Sequence, residues 1–300
     1  MYKRQIFSLV ALGVFISFRL LRFPDLTVDG SFPLGGAVCA TLIAAGTDPF
    51  IATIAATFAG AAAGLVTGWL NVKLKIMDLL ASILMMIALY SVNLRIMGKP
   101  NVPLITEPTV FTILQPGWLS DYVARPLILV VIVVLAKLAL DWFFATQTGL
   151  AVRATGSNGP KARAQGVNTG RMILFGMALS NALVAMAGAL FAQTQGGSDI
   201  SMGIGTIVIG LAAVIVGESI LPSRKLVLAT LAVIIGAIVY RFFIALALNS
   251  DFIGLKAQDL NLVTAVLVTI ALVIPMLKRR LLGKNCLLYT SDAADEEDSV

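Results

Sequence analysis

Nine long apolar stretches recur along this 300-residue chain, near 6–21, 31–46, 50–71, 78–96, 126–144, 171–193, 203–221, 226–248 and 259–277. An α-helix of about 20 residues crosses the hydrocarbon layer of a bilayer, since each residue rises about 1.5 Å. Inside that layer a backbone N–H or C=O finds no water, so only helices and closed barrels span it. Apolar runs of this length without strict alternation read as helices. Charged residues make up 13% of the chain, against about 25% in soluble domains. The sequence therefore predicts an all-α membrane protein, a polytopic bundle of about eight or nine transmembrane helices embedded in the lipid bilayer.

The two ends read differently from the rest. Residues 1–5 and 286–300, the latter beginning Cys-Leu-Leu-Tyr-Thr-Ser-Asp-Ala-Ala-Asp-Glu, resemble translated ends of a transposon adapter used in sequencing libraries. They are set aside as scars, leaving 6–285 as the transmembrane domain, with the natural N-terminus expected to be truncated. Removing Lys3, Arg4 and the five acids of the tail moves the net charge from +6 to +9. These basic residues sit beside apolar spans, which points to the membrane and not to nucleic acid.

Lys and Arg accumulate in cytoplasmic loops. If the spans alternate, Arg19 and Arg22, Lys73 and Lys75, Arg153 to Arg171, Arg224 and Lys225, and Lys278 to Lys284 all fall on one side. That side is the expected cytoplasmic face, with the N-terminus outside and the C-terminus inside. The longest outer connection, about Gly98 to Arg125, contains four prolines besides Trp118. It reads as an irregular loop or as a lid or docking surface.

Enzymatic chemistry finds little to work with. There is no histidine, and the two cysteines lie in an apolar span (Cys39) and in the suspected scar (Cys286). No metal-ligand spacing occurs, and no Gly-x-x-x-x-Gly-Lys-Ser/Thr phosphate loop. No cofactor is expected in this chain, and energy for any transport must come from a partner or an ion gradient.

The most informative stretch runs from Arg153 to Arg171. Ser157 and Asn158 suit a helix N-cap, Pro160 suits a first helical turn, and Gly166 suits a helix end. A short helix over Lys161 to Gln165 follows. The segment resembles the coupling helix of permease subunits of bacterial ABC importers, in the branch that moves branched-chain amino acids, simple sugars and nucleosides. Gly149, Leu150, Ala151, Arg153, Ala154, Gly156 and Asn158 carry the resemblance, followed by Ala162, Gly166 and Val167. It extends over most of residues 10–280 and is nearest to a poorly characterised subgroup, some members of which are linked to amino acids, including aromatic ones. The chain has fewer spans than the sugar permeases.

The resemblance implies a permease subunit with no catalytic residues of its own. Its partners would be a dimer of ABC ATPase subunits, which bind ATP and Mg, an extracytoplasmic solute-binding protein, and a second permease copy or close relative. The location would be the bacterial inner membrane. Arg153, Gly156, Asn158, Pro160, Lys161, Ala162, Arg163 and Gly166 would couple the chain to the ATPase. A gradient-driven secondary transporter is the alternative.

Two short motifs look alike: Asp25-Leu26-Thr27-Val28-Asp29-Gly30-Ser31 and Asp199-Ile200-Ser201-Met202-Gly203-Ile204-Gly205. Simple alternation puts them on opposite sides, as an inverted-topology repeat would. Asp25, Thr27, Asp29, Ser31, Asp199 and Ser201 are therefore pathway candidates, with helix capping as the competing role. Gly60, Gly64 and Gly68 form a stripe for close helix packing, within one bundle or at a subunit interface. Lys137 and Asp141 are spaced to pair along one helix face. Arg241 is expected to snorkel outward. Asn181 and Gln193 suit either a pathway or a helix junction.

Overall fold

In a computed structural model the structure describes residues 3–115, 121–223 and 225–249, with 266, 269 and 273. The ninth predicted span and the acidic tail otherwise lie outside the described residues. Met1–Ala245 form one compact unit, described below; Leu246–Val300 form a second, in which Val266, Thr269 and Val273 are helical.

The first unit is a helical bundle. Helix α1 (Lys3–Val14) runs on as a π-helical turn, Phe15–Leu20. Then come α2 (Val28–Ala44), α3 (Pro49–Leu74) and α4 (Asp78–Met97). A short strand β1 (Asn101–Pro103) and helix α5 (Val110–Leu114) lead into α6 (Asp121–Ala145). Two short helices, α7 (Gln147–Ser157) and α8 (Gly159–Ala164), precede α9 (Thr169–Gln195). Strand β2 (Gly197–Asp199) pairs antiparallel with β1. A 3-10 turn (Ile200–Gly203) then opens α10 (Thr206–Ile220), and α11 (Leu226–Asn249) follows. Among the described residues eight apolar helices match the first eight predicted spans: five are long enough to cross a membrane, and those at Gln5–Leu20, Val28–Ala44 and Leu226–Phe242 are shorter. The connection between α4 and α6, read from sequence as irregular, holds a strand and a capped helix.

Local chemistry places the ends. Asp48 caps α3, accepting the Phe50 N–H at 2.8 Å, with Pro49 in the first turn. Gly98 and Gly196, with φ of +66° and +75°, stop α4 and α9 in the left-handed conformation that glycine adopts most readily.

Helix α9 is the spine of the unit. Its 27 residues reach about 40 Å at 1.5 Å each, and α1, α2 and α3 all pack along it. The predicted small-residue stripe faces it. A Cβ at Gly64 would stand 2.2 Å from the Met177 carbonyl oxygen, and one at Gly60 2.3 Å from the Ala185 methyl. A Cβ at Gly188, on α9, would stand 1.9 Å from the Phe32 carbonyl oxygen of α2. Lipid tails are as apolar as leucine, so close backbone approach and van der Waals contact do the work of association here. The stripe thus serves packing within the bundle.

Helix α2 begins inside the bundle and not at its surface. After the π-helical turn, Arg22 takes a left-handed conformation (φ +56°) and the chain turns back. Asp25 and Thr27 are fully buried, and the Asp25 carboxylate meets Asn181, midway along α9. Helix α10 likewise starts internally, beside Asp29 of α2. The two Asp-containing motifs, expected from alternation to start on opposite sides, meet within the bundle. Alternation places the ends of spans, but it cannot show that the loops fold back into the bundle.

Lys137 pairs with Asp141, as their spacing predicts, and the other Asp141 oxygen accepts the Thr230 hydroxyl at 2.8 Å, tying α6 to α11. Arg241 stacks on an aromatic ring. Its guanidinium carbon lies 3.6 Å from the centroid of the Phe7 ring, a cation–π contact strengthened by low water content. Removing one member of the Lys137–Asp141 pair strands the other charge. Lys137→Met is expected to destabilise the detergent-solubilised protein by about 3–5 kcal/mol. The Lys137→Met/Asp141→Leu double variant should recover most of that loss in thermal unfolding.

Candidate functional site

Three arrangements of polar groups stand out: a surface helix pair, a buried cluster and a cleft. In the helix pair, Thr146 caps α7 by accepting the Gly149 N–H at 3.3 Å. Asn158 caps α8 by accepting the Lys161 N–H at 3.0 Å, with Pro160 in the first turn. Gly166 ends the segment at φ +84°, and Asn168 caps α9. The short helix is where the capping residues put it. Ser157 is not a cap but the last residue of α7, a helix that sequence reading missed. Its signal is Thr146 followed by Gly149, Val152 and Thr155 on one buried face. Helix propensity is weak in a stretch with two glycines, and packing overrides it.

The candidate coupling residues divide by position. Asn158, Pro160, Lys161, Arg163 and Gly166 are exposed. The Arg163 guanidinium also donates to the Thr169 hydroxyl at 3.0 and 3.3 Å, fixing α8 to the start of α9. Ala162 is buried, and Gly156 lies against the backbone of Leu20. Arg153 sits half-buried in a cleft beside Arg19 and Arg22.

The buried cluster holds three of the pathway candidates. Asn181 donates to the Asp25 carboxylate at 2.8 Å and accepts from the Ser31 hydroxyl at 2.7 Å. Asp25 also accepts the Thr27 N–H at 2.9 Å, and the Thr27 and Thr67 hydroxyls are 3.0 Å apart. Asp25, Thr27 and Ser31 are 0% exposed, so they join α2, α3 and α9 and face no open space. Gln193 is a similar junction. It accepts the first N–H of α5, from Val110, at 2.9 Å and donates to the Thr53 hydroxyl at 2.8 Å and to Cys39 Sγ at 3.2 Å.

Asp29 and Ser201 are different. They line a cleft of about 500 Å³ together with Tyr90, Ser91, Asn93 and Ile204. Asp29 accepts the Ile207 N–H at 2.7 Å and the Gly205 N–H at 3.3 Å, so its carboxylate caps α10. Asp199 accepts the Ser201 N–H at 2.7 Å, repeating the turn that Asp25 makes with Thr27. Asn93 donates to the Gly30 carbonyl at 3.2 Å, while its buried Oδ1 has no partner among the described residues. Tyr90, Asn93 and Ser91 escaped sequence reading, because single polar residues in an apolar helix do not announce which face they occupy. Among the described residues no three His, Cys, Asp or Glu side chains gather to hold a metal.

The family described as branched-chain amino acid transport system, permease component, matches residues 1–277. A tyrosine transport system permease protein of Clostridioides difficile is 38% identical over 89% of this chain and 87% of its own length. An uncharacterised protein of Rickettsia prowazekii is 34% identical over 87% of this chain and 91% of its own. The ribose import permease of Escherichia coli is 27% identical, with 83% of this chain and 76% of its own covered. No solved structure matches.

The buried cluster makes a direct forecast. Asn181→Leu takes one side-chain donor from the Asp25 carboxylate and leaves the Ser31 hydroxyl without its acceptor. An unsatisfied buried polar group costs about 1–3 kcal/mol, more if charged. The variant should melt at lower temperature than wild type, and Asn181→Gln should lie between the two in the same thermal scan.

Proposed function

The chain belongs to the permease family of the branched-chain amino acid transport system, and from that premise we propose that it forms half of the translocation pathway of an ATP-driven amino acid importer. Members of this family are transport subunits and not enzymes, and the ATPase is a separate component. The protein is accordingly a multi-pass membrane protein. Family membership sets aside the gradient-driven secondary transporter.

The observation that carries the proposal is the cleft where α2 and α10 begin. It combines a carboxylate, an amide oxygen without a partner, hydroxyl groups and an aromatic ring. Transporters commonly build their sites where helices break within the bilayer. The Asp29 carboxylate suits the ammonium group of an amino acid, and the Tyr90 ring suits an apolar or aromatic side chain. One wall of the cleft is open: Ile87, Tyr90 and Ile204 are 60%, 56% and 75% exposed. A second permease copy or close relative would close it. The tyrosine transport permease of Clostridioides difficile supports an amino acid as the solute.

In this reading the exposed α8 is the handle on which the ATPase dimer acts. Lys161, capped by Asn158 and started by Pro160, stands at its surface, and Arg163 fixes the handle to α9. Movement of α8 would reach the buried cluster through α9, which carries Asn181. In the same reading α8 faces the cytoplasm and the N-terminus lies outside, which the concentration of Lys and Arg in these loops supports. ATP and Mg would be held by the ATPase, and an extracytoplasmic binding protein would deliver the solute to the opposite face.

The test is reconstitution of the chain with its ATPase and binding protein in proteoliposomes, with labelled tyrosine as the first solute. Uptake is expected only with ATP; uptake by the permease alone would end the proposal. A left-handed backbone costs a residue with a Cβ about 1–2 kcal/mol. Gly166→Val should therefore distort the end of α8 and lower transport per ATP hydrolysed, measured as the uptake-to-hydrolysis ratio in the same proteoliposomes. Asp29→Asn/Tyr90→Ala should lower uptake while leaving ATPase co-purification unchanged.

A further inference from the structure

We infer that a cleft between the π-helical turn after α1, helix α7 and the start of α11 binds a phosphate-bearing anion. The cleft measures about 520 Å³ and brings together Arg19, Arg22 and Arg153 with the hydroxyls of Ser157 and Ser223. Its lining contains one acid, Glu218, and this is engaged by Arg19 at 2.6 Å. Arg22 and Arg153 make no ion pair among the described residues. Two guanidinium charges thus remain uncompensated in one concavity. A planar guanidinium matches phosphate oxygens with two parallel hydrogen bonds, and hydroxyls complete such a site.

The backbone is built to hold these charges together. The Leu21 N–H reaches back to the Ile16 carbonyl at 3.0 Å and the Phe23 N–H to that of Ser17 at 2.9 Å. These bonds close the wide turn and present Arg19 and Arg22 in succession. Arg22 does so at φ +56°, a conformation uncommon for residues other than glycine. On the other wall, Gly156 lets α7 lie directly on this turn. A Cβ there would stand 1.8 Å from the Leu20 carbonyl oxygen. Arg153, three residues earlier and so on the same face of α7, is brought to the cleft by that contact. Like charges held close by this framework call for an anion.

Position favours a source. The turn ends one apolar helix and Leu226 begins another, so the cleft lies at the membrane–water boundary. Phe15 and Leu226 give it an apolar wall. An acidic phospholipid offers both a phosphate and apolar stems to such a site; a soluble phosphate compound offers only the first.

The inference stands apart from the transport reading, because it is tested on the full-length permease alone. Purified protein is titrated with vesicles of phosphatidylglycerol or phosphatidylcholine, and bound lipid is counted by native mass spectrometry. Wild type should retain phosphatidylglycerol selectively. A basic residue near an anionic surface contributes about fivefold in affinity, so Arg22→Gln/Arg153→Gln should weaken retention by about 30-fold. Glu218→Gln removes the opposing charge and should strengthen retention by about fivefold, a gain that mere structural damage does not produce. Displacement by millimolar inorganic phosphate would support the phosphate chemistry and assign it to a soluble ligand. Equal lipid retention by wild type and the double variant, with no competition by phosphate, overturns the inference. So does a double variant that keeps its lipid and loses only ATPase association. Should the double variant not fold, an unchanged affinity in Glu218→Gln would overturn it by itself.

Discussion

Two helices of this protein begin inside the bundle, where an amide N–H has little water to bond. The first N–H groups of any helix lack intrahelical acceptors, so each internal start needs an acceptor supplied by the protein. Asp25 accepts the Thr27 N–H at the start of α2, and Asp29 accepts those of Gly205 and Ile207 at the start of α10. A buried carboxylate then needs donors in turn, and Asn181 of α9 serves Asp25. The chain of dependence runs from backbone amides to acids to the central helix. Asp29 differs from Asp25 in reaching open space as well, which makes one residue both a cap and a wall of the cleft.

That arrangement needs helices closer than ordinary side chains permit. Asn181 meets Asp25 and Ser31 because Gly60 and Gly64 let α3 lie on α9 and Gly188 lets α2 do so. The polar cluster and the small-residue seam are therefore one device, since hydrogen bonds of 2.7–2.8 Å require the backbones to approach. The same economy appears at the boundary of the bundle. Gly156 sets α7 on the π-helical turn, and three arginines become neighbours. Helix α9 joins all of these regions, because Thr169 at its start holds α8 through Arg163 while Asn181 and Gln193 further along hold the cluster and α5.

The sequence by itself determined the helical membrane fold, the eight apolar helices among the described residues, and the short helix α8. These follow from local rules: the length of an apolar run, the bonding demands of the bilayer, and the chemistry of Asn158, Pro160 and Gly166. The Lys137–Asp141 pair was legible too, since residues four apart in a helix are neighbours. The tertiary structure decided where the polar groups act. Asp25, Thr27 and Ser31 looked equivalent to Asp29 and Ser201 as pathway candidates, yet burial separates them. Nothing local distinguishes a loop that stays at the surface from one that folds back to meet Asn181, more than 150 residues away. Tyr90, Asn93 and Arg22 gain their meaning only from what stands opposite, because a side chain's role depends on its neighbours in space and the sequence records only its neighbours along the chain.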